Sequence, residues 1–215
     1  MSNTKPRRAP RKAPAERSAE LAQATRSIAL EQGLSAITLR NVARRAGVAP
    51  GLVAHYHPSV EMLVAGTFSS IVAAETEEVA ALVAGTGTPQ QGLSLLLETL
   101  LDDRRLDVTA VWVEAWSLGR RNETLASSVR EQMDAWQAVI RDLVAAGVAS
   151  GDFSAPDAES VAWQILGMVD GLNAQALVRW NGVADRHTHL ARAVEAIVGA
   201  APSSLLPAAA PGSDR

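Results

Sequence analysis

Between Thr38 and His57 the chain gathers donor groups suited to anionic oxygens: Thr38, Arg40, Arg44, Arg45, His55 and Tyr56. An arginine adds a planar fork that matches the O6 and N7 acceptors of guanine, while hydroxyl and imidazole groups suit phosphate. The chemistry this set points to is contact with a nucleic acid.

Two short helices meeting at a glycine would position these groups. Thr38 can accept from the free amides at a helix start, and Leu39, Val42, Ala43 and Ala46 recur at the spacing of one buried helical face. Gly47 supplies a left-handed stop, and Pro50 fits a first helical position where no N–H is needed. Leu52, Val53 and Tyr56 then anchor a second helix. A turn of three to four residues between two helices is the helix-turn-helix signature; the competing reading is an ordinary αα-hairpin.

Charge favours the first reading. Residues 1–60 hold ten Lys and Arg against three acids, net +7, whereas the rest of the chain holds ten against twenty, net −10. Attraction to phosphate dominates non-specific DNA affinity, so the cationic head matters more than the whole-chain value of −3.

At 215 residues and 47% hydrophobic composition the chain can form one large or two small domains with an ample core. It contains no cysteine, which removes disulfides, thiolate catalysis and cysteine-ligated zinc. No apolar run approaches the roughly 18 residues that span a bilayer, so the expectation is a soluble, cytoplasmic protein with no membrane partner. Residues 1–17, with Pro6, Pro10, Pro14 and six positive charges, read as a disordered basic arm, either solvated or following the DNA backbone or minor groove. Residues 201–215 read as a disordered tail.

Everything between reads as helix. A first helix starts after Ser18, buries Leu21, Ala24, Thr25 and Ile28, and stops at Gly33. The hairpin follows. Ser59 then caps a long helix through Phe68 and Val79 to Gly85, and further helices are expected over about 89–101 and 107–118. Asn122 opens one to about 148, closed by Gly147 and Gly151; Ser154, Pro156 and Asp157 open one to about 180; Asp185 opens the last, near 186–199. The fold class is all-α: a three-helix helix-turn-helix unit over 18–62 for DNA and six helices over 63–200 in the acidic body.

This head resembles the tetracycline-repressor (TetR) family of bacterial regulators through Gly33, Thr38-Leu39-Arg40-Asn41-Val42-Ala43, Ala46-Gly47-Val48, Gly51-Leu52, His55-Tyr56, Ser59 and Glu61-Met62-Leu63. Trp112-Val113-Glu114-Ala115-Trp116, Asn122 and Val169-Asp170-Gly171-Leu172 resemble the BetI-type C-terminal domain. Two departures stand out. His57 replaces a usual aromatic, and Val60 replaces a lysine that commonly contacts phosphate.

The resemblance implies a DNA-binding transcriptional repressor, homodimeric, released from a palindromic operator by a small-molecule effector and needing no cofactor or metal. The DNA-binding residues expected are Thr38, Arg40, Arg44, Ala49, Pro50, Gly51, His55 and Tyr56. Arg40 is the candidate for a base contact, with a phosphate clamp or a solvated arginine as the alternatives; Thr38, Arg44, His55 and Tyr56 are assigned to phosphate. Intersubunit contacts are expected on the last two long helices, where Ala158, Ala162, Gly167, Gly171, Ala174 and Ala191 allow close approach, with packing inside one chain as the alternative.

All five tryptophans lie behind residue 100. In the family these helices surround a ligand cavity, so the expected ligand-binding residues are Phe68, Trp112, Trp116, Met133, Trp136, Trp163 and Asp170, with a plain tryptophan-rich core as the alternative. If Glu114 or Asp170 faces the aromatics, ring faces plus a carboxylate suit a quaternary ammonium such as choline.

Two other classes compete. An enzyme could use His187, His189 and Asp185, but residues two apart on a helix diverge, and the chain has neither a Gly-rich phosphate loop nor a Ser-centred elbow. A helical interaction module without sequence-specific DNA binding would leave the basic head unexplained.

Overall fold

A computed structural model describes residues 13–180 and 185–206, among which there are nine α-helices and no strand. The helices are α1 (Pro14–Gln32), α2 (Leu39–Ala46), α3 (Pro50–Tyr56), α4 (Val60–Ala84), α5 (Pro89–Leu100), α6 (Leu106–Gly119), α7 (Glu123–Ser150), α8 (Ala158–Leu177) and α9 (Arg186–Val198). Single 3₁₀ turns, Leu34–Ala36 and Asp103–Arg105, precede α2 and α6.

Helix starts are set by side-chain caps. Thr38 accepts from Asn41 N (3.1 Å), Ser59 from Met62 N (3.2 Å), Thr88 from Gln91 N (3.2 Å) and Asn122 from Leu125 N (3.1 Å). Gly47 stops α2 in the left-handed conformation (φ 65°), and Val48 N donates to the Ala43 carbonyl at 2.9 Å. Chain direction therefore changes within three residues before α3 begins at Pro50.

Several boundaries differ from the sequence expectation. Helix α1 begins at Pro14, so residues 14–17 are its first turn and not part of the arm; proline presets the helical φ, and Arg17 pairs with Glu20 at 2.6 Å. Residues 1–12 of the expected arm, and 207–215 of the expected tail, lie outside the described residues. Residues 201–206 are tied down: the Glu195 carboxylate accepts from Ser203 N (3.0 Å) and Leu205 N (2.9 Å), the Ser94 hydroxyl donates to the Leu205 carbonyl (2.9 Å), and Leu205 is buried. Gly147 does not end α7. It lies inside the helix, where a Cβ would stand 2.0 Å from the Phe153 ring, and the stop falls at Gly151 (φ 85°). Helix α8 ends at Leu177, before the expected 180.

One cluster of buried side chains runs through the whole molecule. It starts with Leu21, Ile28, Leu34 and Val53 in the head, passes through Phe68 and Ile71 of α4, and reaches Ile140, Ile165 and Leu190 in the body. Helix α7 is central, packing on α4, α5, α6 and α8, while α1 rests on both α4 and α6. Full burial of each large apolar side chain contributes about 1.5–3 kcal/mol relative to exposure, so this continuous core holds head against body.

Candidate functional site

The head separates its polar groups from its core cleanly. Val42, Ala43 and Val53 are buried, whereas Thr38, Arg40, Arg44, Ala49, Pro50, Gly51 and His55 are exposed and Tyr56 is half-buried, its ring edge-on to His55 at 5.5 Å. Arg45 is withdrawn from this set by an ion pair with Glu31 of α1, which raises the guanidinium and lowers the carboxyl from their ordinary values. Arg44 donates to the Asn41 side chain (2.7 Å), and Asn41 in turn donates to the Ala36 carbonyl (2.8 Å), which steadies the guanidinium at the surface. Arg40 has no hydrogen bond or ion pair among the described residues and is exposed. At the end of α3, His57 is half-buried, its Nε2 has no partner, and burial lowers its pKa. Val60, where a lysine is usual, is a partly exposed aliphatic.

In the body, α4 to α8 line a partly open cavity of about 40 Å³. Trp112 of α6 and Met133 and Trp136 of α7 supply apolar wall; Asp170 and Asn173 of α8 and Glu75 of α4 supply polar groups. The charges there do not balance. Arg105 is held by Glu78 (2.7 Å) and Glu75 (3.4 Å), and Asn173 donates to the Leu100 carbonyl (2.9 Å). Asp170 has no hydrogen-bond partner among the described residues, and burial pushes its pKa up to about 6. Glu75 is also raised by burial, against the opposing pull of Arg105. One carboxylate in an aromatic cavity is thus left without a counter-charge.

A family model described as bacterial regulatory proteins of the tetR family matches residues 21–66, and one described as the C-terminal domain of BetI-type transcriptional repressors matches residues 89–199. The chain belongs to the TetR family. As a TetR-family protein with a BetI-type C-terminal domain it is a transcriptional regulator. A curated relative, the HTH-type transcriptional regulator BetI of Rhizobium meliloti, is 30% identical over 144 residues, covering 66% of this chain and 68% of that protein. The BetI of Stenotrophomonas maltophilia is 29% identical over 110 residues, covering 50% of this chain and 56% of that protein. Among solved structures, a TetR transcription regulator from Haloarcula marismortui superposes with a TM-score of 0.73 at 20% identity, covering 86% of this chain and 97% of that one. A transcriptional regulator from Saccharomonospora viridis in complex with choline superposes equally well, with a TM-score of 0.73 at 20% identity over 82% and 94% of the two chains.

Within this TetR-family body the expected ligand residues divide. Trp112, Met133, Trp136 and Asp170 line the cavity. Phe68 and Trp116 do not: Phe68 is fully buried behind Trp112, edge-on at 5.0 Å, and Trp116 lies beside Trp112 at 5.7 Å, so both support the wall. Trp163 is 68% exposed; two turns before Asp170, it lines an adjoining open groove with Arg130, Asp134 and Gln137, to which Met133 and Asp170 also contribute. Glu114 turns away from the aromatics toward the head, its Oε2 accepting from Ser35 N at 3.2 Å. Ala162 and Ala191, expected at a subunit contact, are fully buried within the chain. Gly167 and Gly171 are exposed with open space where a Cβ would be.

Sequence reasoning missed Glu75, Arg105, Thr109 and Asn173 as cavity residues. Glu75 was detectable, because it continues the apolar stripe Phe68, Ile71, Val72 and Val79 at helical spacing, a position where an unpaired charge is out of place. Arg105 carried no such signal, since its approach to α4 depends on tertiary packing.

No helix among the described residues is long and apolar enough to cross a membrane.

Proposed function

We propose that this regulator is a homodimeric repressor, released from a palindromic operator by a small organic cation of the quaternary ammonium class. The observation that carries the reading is Asp170, a half-buried carboxylate without a partner in a cavity walled by Trp112 and Trp136. Indole faces attract a cation through the ring quadrupole, and a carboxylate adds the compensating charge. Arg105 does not supply it, being committed to Glu75 and Glu78. The choline complex of the Saccharomonospora viridis regulator supports the same ligand class.

On the DNA side, Thr38, Arg44, His55 and Tyr56 are assigned to phosphates, Ala49, Pro50 and Gly51 to close approach in the groove, and Arg40 to a base edge. Two heads are required for useful specificity. The stripe Trp163, Gly167, Gly171, Ala174 and Val178 follows one face of α8 and its end, and a second copy seated there would place two reading helices about 34–36 Å apart, one turn of DNA. Residues 18–62 then act as the reading unit and 63–200 as the sensing and dimerising unit.

The test is operator release by choline, compared with its uncharged isostere 3,3-dimethylbutan-1-ol, alongside tryptophan fluorescence. Choline is expected to quench or shift the emission and dissociate the operator complex while the alcohol does neither. Equal action by the two, or silence from both, defeats the cation reading.

A further inference from the structure

We propose that Glu114 is the positioning residue through which the cavity sets the orientation of the DNA-reading head; the proposal rests on the effector reading above, and its test separates the two. Trp112 and Glu114 lie two residues apart on α6, about 200° around a helix of 3.6 residues per turn, so one faces the cavity while the other faces the head.

The head has a fitted receptor for this side chain. Glu114 Oε2 accepts from Ser35 N (3.2 Å), in the 3₁₀ turn Leu34–Ala36, which α6 packs against. Beside it stands Gly33, with φ 89°, and a Cβ there would lie 2.2 Å from Glu114 Oε1. The carboxylate therefore occupies the space that any other residue at 33 would fill, and the positive φ is one that glycine adopts freely. Three residues beyond Ser35, Thr38 caps α2 and begins the reading face.

Trp112 of α6 faces Met133 and Trp136 of α7 and Asp170 of α8 across the cavity, so a guest seated between them presses on Trp112. Phe68, packed edge-on behind Trp112, resists local movement of the ring, so the displacement falls on α6 as a whole. Glu114 moves with that helix and leaves Ser35. Losing the contact frees the head to tilt, and DNA binding must then re-order it.

The experiment uses the full chain as wild type, E114A and E114Q, measuring amide exchange at Ser35 and operator affinity, first without ligand and then with choline. Expected for E114A without ligand is exchange at Ser35 faster by tenfold or more and operator affinity weaker by three- to tenfold, with unaltered helix content. Glutamine retains an acceptor oxygen at the same reach, so E114Q is expected to track wild type. Unchanged exchange, or operator binding as tight as wild type in E114A, overturns the proposal. If wild type ignores choline while the ligand-free differences are present, the cation reading fails and the positioning role stands. If choline releases wild type and E114A from the operator with the same fold-change, the link from cavity to head through Glu114 is refuted.

Discussion

Head and body solve opposite electrostatic problems. In the head, polar groups stay outside: among the described residues of α1 to α3 the single buried polar side chain is Thr25, whose hydroxyl donates to the Leu21 carbonyl one turn back. In the body, Glu75, Arg186 and Glu195 are buried and Asp170 is half-buried. Most of these are satisfied. Arg186 donates to the Leu101 carbonyl (2.6 Å) and to Asp103 (2.5 Å), and Glu195 collects two backbone amides. Asp170 is the exception, and burial of an unpaired carboxylate is destabilising. The contrast teaches that a surface built to meet an anion can be charged at little cost, because water screens it until DNA arrives. The cavity instead keeps a carboxylate partly desolvated with no hydrogen-bonded counter-charge.

The most disruptive way to test whether head and body act as one unit is to remove the residue between them. Phe68→Ala deletes a fully buried ring that packs on Trp112, and a loss of about 3–5 kcal/mol in stability is expected by denaturant titration. Because the buried cluster is continuous, unfolding monitored by body tryptophan fluorescence and by helical signal should shift together. Separate transitions would show that the heads are held by something other than this core.

Asp170 sharpens the contrast in the reverse sense, since Asp170→Asn should stabilise. Its folded pKa of about 6 lies above the ordinary carboxyl value of 3.8, so the folded state binds more protons and wild-type stability falls as pH rises through that window. The variant's advantage should be roughly 1–3 kcal/mol at pH 7, where the wild-type carboxylate is ionised, and should vanish near pH 3.8. Chemical denaturation at the two pH values checks this. Choline binding to wild type should weaken as pH falls below about 6 and be largely lost in the variant.

The head was the more legible half of the sequence, for a physical reason. Its geometry is set by contacts within a few residues: Thr38 with Asn41, Gly47 with Ala43, Pro50 at a helix start. The body's helices were legible by the same local logic, at Ser59, Asn122 and Asp157. What each helix presents to its neighbours was not. Glu114 and Asp170 are both acids within apolar stretches and look alike in sequence, yet one reaches Ser35 and the other lines the cavity. Trp163 sits at the same helical phase as Asp170, yet it is 68% exposed in the open groove. The ordering of residues 14–17 and 201–206 followed from a helix-starting proline and from long-range bonds to Glu195, of which only the proline was visible in advance.

Within the head, the comparison narrows to two exposed arginines on one helix. Arg40→Ala is expected to cost about 1–3 kcal/mol on the operator and much less on random DNA, whereas Arg44→Ala should weaken both alike and flatten the salt dependence by about one phosphate contact. Binding isotherms on operator and scrambled duplexes at several salt concentrations separate them. Equal losses for Arg40→Ala on both duplexes would return that residue to the phosphate role.

The smallest expected effect is at Thr38, which caps α2 and is assigned to a phosphate through a different atom. Its Oγ1 accepts from Asn41 N at 3.1 Å, capping α2, while its hydroxyl proton remains available to donate to a phosphate. Thr38→Ala should therefore lower stability by about 1 kcal/mol and weaken DNA binding as well. Thr38→Asp separates the two, because aspartate caps a helix as well as threonine does but repels phosphate. It should restore the melting behaviour and bind DNA more weakly than the alanine variant. Recovery of both properties in Thr38→Asp would mean that Thr38 serves the helix alone, and the line between a structural cap and a reading surface would then fall beyond residue 38.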